Sequence, residues 1–197
     1  MSHPRLPSPW LLAVAALAAG AALIPAAALG GAPTAGPTLA SSAGPLVATA
    51  PVPTTASAPA CTTSGLVVWL NTQGNGAAGS IFYTLELTNL SSGTCTVQGY
   101  PGVSAVNLAG HSLGSAAARD HATTPHLVTL ARGATATAVL RIVEAGNFPS
   151  SACHQVTAAG LRVYPPNATT SKVVPFPFAA CSRTGPQYLS VRAVRHA

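Results

Sequence analysis

The chain has 197 residues and a formal net charge of +6, yet only 6% of its residues are charged, far below the roughly 25% of ordinary soluble domains. Glu86, Asp120 and Glu144 are all of its acids and Lys172 is its one lysine, so the positive sign reflects missing acids as much as abundant bases. Beyond Arg5 the arginines are scattered from Arg119 to Arg195; this argues against a nucleic-acid binder, which gathers them on one stripe, and reads first as a weakly basic surface, with a loose, salt-sensitive attraction to anionic envelope polymers or lipid headgroups as the alternative.

Residues 1–30 read as a signal peptide. Arg5 supplies the positive charge, Trp10 to Ile24 the apolar run, and Pro25 followed by Ala26, Ala27 and Ala28 the helix break and small residues of a cleavage region. Cleavage fits after Ala28 or after Gly30. Left uncleaved, the run extends to Leu29 and reaches the roughly 20 residues that span a bilayer, so it would tether the protein to the membrane. Residues 31–60 are nearly all Ala, Pro, Thr, Ser and Gly. Pro45, Pro51, Pro53 and Pro59 oppose regular helix or a central strand. Few large apolar groups are present to offset the entropy of ordering, and a disordered linker is expected there.

All four cysteines, Cys61, Cys95, Cys153 and Cys181, follow the linker. An even count in an exported chain points to disulfides. Three pairings are open; Cys61–Cys95 and Cys153–Cys181 are favoured because each is nearest in sequence and flanks expected strands. No C-x-x-C spacing occurs, which removes a zinc site built on cysteines.

From Cys61 onward short apolar runs alternate with turn residues. Leu66–Leu70 is a strand and Asn71–Gly79 a glycine-rich loop. In Ile81–Asn89, Ile81, Tyr83, Leu85 and Leu87 share one face and Phe82, Thr84, Glu86 and Thr88 the other, the period of a half-buried strand. Asn89–Gly93 turns the chain and Thr94–Gln98 returns. Gly99-Tyr100-Pro101-Gly102 is a bend, Val103–Leu108 a strand, and Gly114–His126 a loop. Leu127–Leu130 is expected to pair with Ala134–Val143 across Ala131-Arg132-Gly133, a three-residue hairpin. Leu161–Tyr164, Lys172–Phe178 and Tyr188–Val194 complete the set, the middle one an edge strand because of Pro175 and Pro177. The whole reads as an all-β, immunoglobulin-like β-sandwich of about seven to nine strands over residues 61–197, stapled by disulfides. Expected core residues are Trp69, Leu85, Leu87, Val97, Val103, Val139, Leu161 and Val163. Trp69 beside a disulfide is similar to immunoglobulin packing in architecture alone.

Leu85-Glu-Leu-Thr-Asn89 followed by Cys95-Thr-Val-Gln-Gly-Tyr-Pro-Gly-Val103 resembles the hallmark of a secreted actinobacterial family, domain of unknown function 4232. Cys61 before a short strand, the turn at Leu130-Ala-Arg-Gly133 and the late pair Cys153 and Cys181 around Leu161-Arg-Val-Tyr-Pro165 extend the resemblance to roughly Cys61–Val194. It implies a secreted or membrane-tethered β-sandwich module. It supplies no catalytic or ligand-binding residue.

The chemistry is sparse. No G-x-S-x-G occurs, and Asp120 and His121 are adjacent, so on a strand they face opposite ways and do not make a triad pair. Glu86 and Glu144 are the only acids placed for paired-carboxylate chemistry, which needs them about 5–10 Å apart. His111, His121, His126 and His154 lie in or near loops and are of a type that binds copper or zinc, but no H-x-H or H-E-x-x-H spacing joins them. The sequons at Asn89 and Asn167 matter only in a eukaryotic route, and Asn89 is better read as a strand-ending residue bonding its own turn. Tyr100, between glycines, is the one ligand-binding candidate: exposed, it would meet a flat sugar or peptide group; otherwise it packs over the sandwich end.

These readings converge on an exported, non-enzymatic binding or structural module of the bacterial cell envelope. No cofactor or metal is expected, and its partner would be a cell-wall polymer or an envelope protein. The alternatives are an envelope-polymer hydrolase, which needs an acid, a His and a hydroxyl converging in a cleft, and a metal carrier, which needs three of the four loop histidines to meet.

Overall fold

The computed structural model describes residues 57–197. The expected signal, and the expected linker as far as residue 56, lie outside the described residues. Pro59 and Ala60, also placed in the linker from sequence, are part of the fold: the Pro59 carbonyl accepts from the Thr96 amide at 2.8 Å, and Ala60 bridges Thr96. No helix among the described residues is long and apolar enough to cross a membrane.

The chain builds the expected all-β domain. Its strands are β1 (Leu66–Ala77), β2 (Ser80–Asn89), β3 (Cys95–Val97), β4 (Gly102–Val106), β5 (Ser112–Leu113), β6 (Ala118–Asp120), β7 (Val128–Leu130), β8 (Thr135–Val143), β9 (Gln155–Tyr164), β10 (Lys172–Cys181), β11 (Leu189–Arg192) and β12 (Arg195–His196). A 3-10 turn, Ala145–Asn147, and one helical turn, α1 (Ser150–Cys153), link β8 to β9. One sheet runs β1-β2-β8-β11-β6 with β12 also on β8; a second runs β10-β9-β4-β5; β3 and β7 form a separate pair. All neighbours are antiparallel except β11 and β6.

Alternation decides which side chains go inside. Leu85 and Leu87 of β2 and Ala136, Ala138, Leu140 and Ile142 of β8 turn inward from the first sheet; Val103 and Ala105 of β4 and Leu161 and Val163 of β9 turn inward from the second. They share one core, and each fully buried Leu or Val contributes about 1.5–3 kcal/mol. Six of the eight expected core residues lie there. The other two do not. Trp69 is 49% exposed and Val139 is half-buried. In Leu66-Val-Val-Trp-Leu70 no polar residue marks the outer face, and burial of Leu66 and Leu70 commits Val67 and Trp69 to solvent. Val139 is likewise out of step with Ala138 and Leu140.

Four local expectations change. Asn71–Gly79 is not a loop: β1 continues to Ala77 along β2, with a bulge between Asn71 and Asn75. The turn is Ala78-Gly79, both with positive φ, the two-residue connection whose twist suits a hairpin. The expected pairing of Leu127–Leu130 with Ala134–Val143 is not made. Ala131–Gly133 does turn the chain, with the Ala134 amide on the Ala131 carbonyl, but β7 pairs with β3 while β8 joins β2 and β11. The Thr94–Gln98 return therefore meets β7 and not β2. Within the expected Gly114–His126 loop, β6 lies parallel to β11. Conversely, β10 is the edge strand its prolines require, with its register slipping between Pro175 and Phe178.

Both favoured disulfides form. Cys61–Cys95 ties the segment before β1 to β3, and Cys153–Cys181 ties α1 to the end of β10.

Candidate functional site

The bend Gly99–Gly102 sits where β4 begins. Gly99 has φ +109°, a backbone conformation that a side chain opposes, and its carbonyl accepts from the Val194 amide at 2.9 Å. This fixes the exit of Tyr100, which is half-buried. Its Oη lies 3.1 Å from His121 Nδ1 and donates to the Thr123 carbonyl at 3.4 Å. The two rings meet edge to face with centroids 5.2 Å apart, and the Arg119 guanidinium stands 5.7 Å from the Tyr100 centroid, a cation–π distance. Tyr100 thus both packs against its neighbours at the start of β4 and keeps an accessible side.

Strand β6 supplies the charge. Its alternation sends Arg119 toward Tyr100 and Asp120 toward β11, where Asp120 Oδ2 pairs with Arg192 Nε at 2.8 Å. That hydrogen bond, followed by the one from the Ala122 amide, holds the Asp120 carboxyl below its ordinary range. Asp120 is therefore engaged away from Arg119, and Arg119 has no carboxylate partner among the described residues.

Across β4 and β9, Gly102 is paired with Tyr164. A Cβ at Gly102 would make only ordinary contact with the Tyr164 side chain, its nearest atom the Tyr164 Cβ at 3.4 Å, so the strand pairing rather than the glycine places Tyr164 beside the bend. Asn167, at φ +61°, closes the rim, its Nδ2 donating to the Gln98 carbonyl at 3.2 Å. Together Tyr100, Arg119, Tyr164 and Asn167 line a cleft of about 280 Å³ that contains no acidic side chain. It can offer an aromatic face, a guanidinium and polar groups to a ligand. It holds no nucleophile beside a base and an orienting acid.

Sequence singled out Tyr100 alone. Arg119 was hidden in an expected loop, and Tyr164 and Asn167 are brought to Tyr100 only by the β4–β9 pairing.

The other candidates are dispersed. His121 is on Tyr100 and His154 Nδ1 is 2.8 Å from Ser182 Oγ, while His111 and His126 are exposed. Among the described residues no three His, Cys, Asp or Glu side chains gather as a metal site, so the metal-carrier alternative lacks its histidine cluster. Glu86 stands opposite Thr137, whereas Glu144 follows Val143, which stands opposite Ser80. Seven positions along the strand separate them, about 23 Å at the usual rise, too far to flank one bond. Asp120 and His121 point to different partners, as expected of neighbours. All four cysteines are in disulfides.

No curated protein and no solved structure matches this chain. A family model does match, over residues 61–195, and it covers more than half of the chain. The chain is a member of the family described as domain of unknown function, DUF4232.

Proposed function

We propose that the protein is a non-catalytic binding module that works outside the cytoplasm, at the cell envelope. The observation that carries this reading is the Tyr100–Arg119 cleft, which offers recognition chemistry without a catalytic constellation. Two features support its location. The N-terminal residues read as an export signal, and a domain with every cysteine in a disulfide suits an oxidising compartment.

The test is saturable retention. The full chain, oxidised and immobilised, is exposed to a cell-envelope extract and the retained material is identified. The reading expects one component to be retained reproducibly and to be displaced by soluble protein. Retention of nothing, or catalytic turnover abolished by a single substitution of Glu86, Asp120 or Glu144, would overturn it.

A further inference from the structure

We infer that the cleft between Tyr100 and Tyr164 takes a single sugar unit bearing an anionic group, with Arg119 on the anion and the tyrosines on the ring. The inference rests on the binding-module reading and specifies its ligand.

Three observations carry it. The first is charge. Asp120, next to Arg119 in sequence, is committed to Arg192, and no acid lines the cleft. A guanidinium left without a carboxylate keeps its fork of donors for a carboxylate or phosphate from outside. Arg119 is nonetheless not floppy in its setting, because its strand is anchored on β11 and its head stands over Tyr100.

The second is shape. At about 280 Å³ the cleft is near the lower bound of small-molecule sites, which span roughly 300–1,000 Å³. One hexose-sized unit suits it; an extended peptide or a large aromatic ligand does not. Tyrosine rings present an apolar face with a polar tip, matching a sugar's C–H face and hydroxyl edge.

The third is construction. Gly99, at φ +109°, and Gly102 lie in this wall, and Asn167 on its rim takes φ +61° in a turn closed by the Ala168 amide on the Pro165 carbonyl at 3.0 Å, a conformation that asparagine tolerates. The His121 contact at 3.1 Å and the Arg119 contact fix Tyr100 from two sides, so the cleft is organised before a ligand arrives, which lowers the cost of binding.

The anion can be a carboxylate, as in a uronic acid, or a phosphate on a sugar. Calorimetric titration of the full chain with galacturonic acid, its methyl ester, glucose 6-phosphate and inorganic phosphate separates them. The expected result is binding of one or both anionic sugars, with the tighter naming the source. The neutral ester and free phosphate should bind at least tenfold more weakly, and added salt should weaken the anionic sugars. Arg119→Gln should reduce that affinity tenfold or more, and Tyr164→Leu should also reduce it. Arg132→Gln, which removes the same charge from the turn after β7, should change nothing. Arg119 is exposed, so its variant keeps the test valid if Tyr164→Leu fails to fold.

Equal binding of the acid and its ester, unchanged affinity in Arg119→Gln, or no binding of either anionic sugar overturns the inference. An envelope component retained by the full chain independently of Arg119 would overturn it too, while leaving the binding-module reading standing.

Discussion

Asn89 Nδ2 donates to the Leu130 carbonyl at 2.9 Å, joining the end of β2 to the end of β7 across 41 residues of sequence. The same amide donates to the Gly93 carbonyl at 2.8 Å, and Asn89 Oδ1 accepts from the Ser91 amide at 2.9 Å and the Ser91 hydroxyl at 2.6 Å. The Asn89 backbone completes the junction: its amide donates to Ala134 and its carbonyl accepts from Gly133. One fully buried side chain therefore holds its own turn and fixes where the turn into β8 lies. This also closes the Asn89 sequon to modification in the folded chain.

Removing that side chain leaves buried partners unsatisfied, each costing about 1–3 kcal/mol. Asn89→Ala should lower unfolding stability by about 2–4 kcal/mol in a denaturant titration. Asn89→Asp should be no milder, because an ionised carboxylate places an acceptor opposite two carbonyls that need a donor. An aspartate variant as stable as the parent would mean that the network contributes little.

The Asn89 turn was legible because Asn ending an alternating strand carries its own local chemistry. The strand pairings beyond it were not. Leu127–Leu130 and Ala134–Val143 flank a good turn, and local rules pair them; in the fold β7 meets β3 near the Cys61–Cys95 bridge, and β8 spends both edges on β2 and β11. Turn chemistry is local, while the partner of a strand is chosen by the whole sheet. The candidate site divides the same way. The glycines announced Tyr100, but Arg119, Tyr164 and Asn167 come from elements that only tertiary structure brings together.

The disulfides differ in exposure, and they should differ in reactivity. Cys153 and Cys181 are buried, whereas Cys61 is partly open to solvent. Thiol attack needs access to sulfur, so a mild reductant should open Cys61–Cys95 first, as followed by alkylation and peptide mapping. Closing loops of 34 and 28 residues contributes about 3.5–4 kcal/mol each on the chain-entropy account. The double variant Cys61→Ser, Cys95→Ser should therefore lose stability of that order. A free thiol in the oxidised protein, or reduction of Cys153–Cys181 first, would contradict the structure.

Tyr188 introduces an alkaline limit. It is fully buried and its hydroxyl donates to the Leu113 carbonyl at 2.9 Å. Burial pushes its pKa up from 10.0 to about 12. The folded state thus keeps a proton that the unfolded chain gives up. The resulting stabilisation is complete below pH 10 and is lost as pH rises toward 12, at most about 2–3 kcal/mol in all. Tyr188→Phe should flatten the stability profile across that window, and should cost about 1–3 kcal/mol near neutrality for the orphaned Leu113 carbonyl. An unchanged alkaline profile in that variant would assign the loss to other groups.

Trp69 offers the sharpest contrast between composition and placement. A core tryptophan replaced by alanine costs about 3–5 kcal/mol, the cost an immunoglobulin-like burial beside the Cys61–Cys95 bridge would entail. At 49% exposure, on the edge strand β1 and opposite Glu86 of β2, Trp69 instead covers the outer face of the sheet. Trp69→Ala should cost no more than about 1 kcal/mol, the scale of a cross-strand pair, whereas Leu85→Ala, fully buried on the inner face, should cost about 2–5 kcal/mol. Fluorescence gives an independent reading. Trp10 is the only other tryptophan, so in a Trp10→Phe background emission reports Trp69 alone. It should be red-shifted and readily quenched by acrylamide in the native state. A blue-shifted, protected emission together with a loss of several kcal/mol on Trp69→Ala would put the indole in the core, and with it would reverse the facing of Leu66 and Leu70, since a slip of one residue turns a whole strand over.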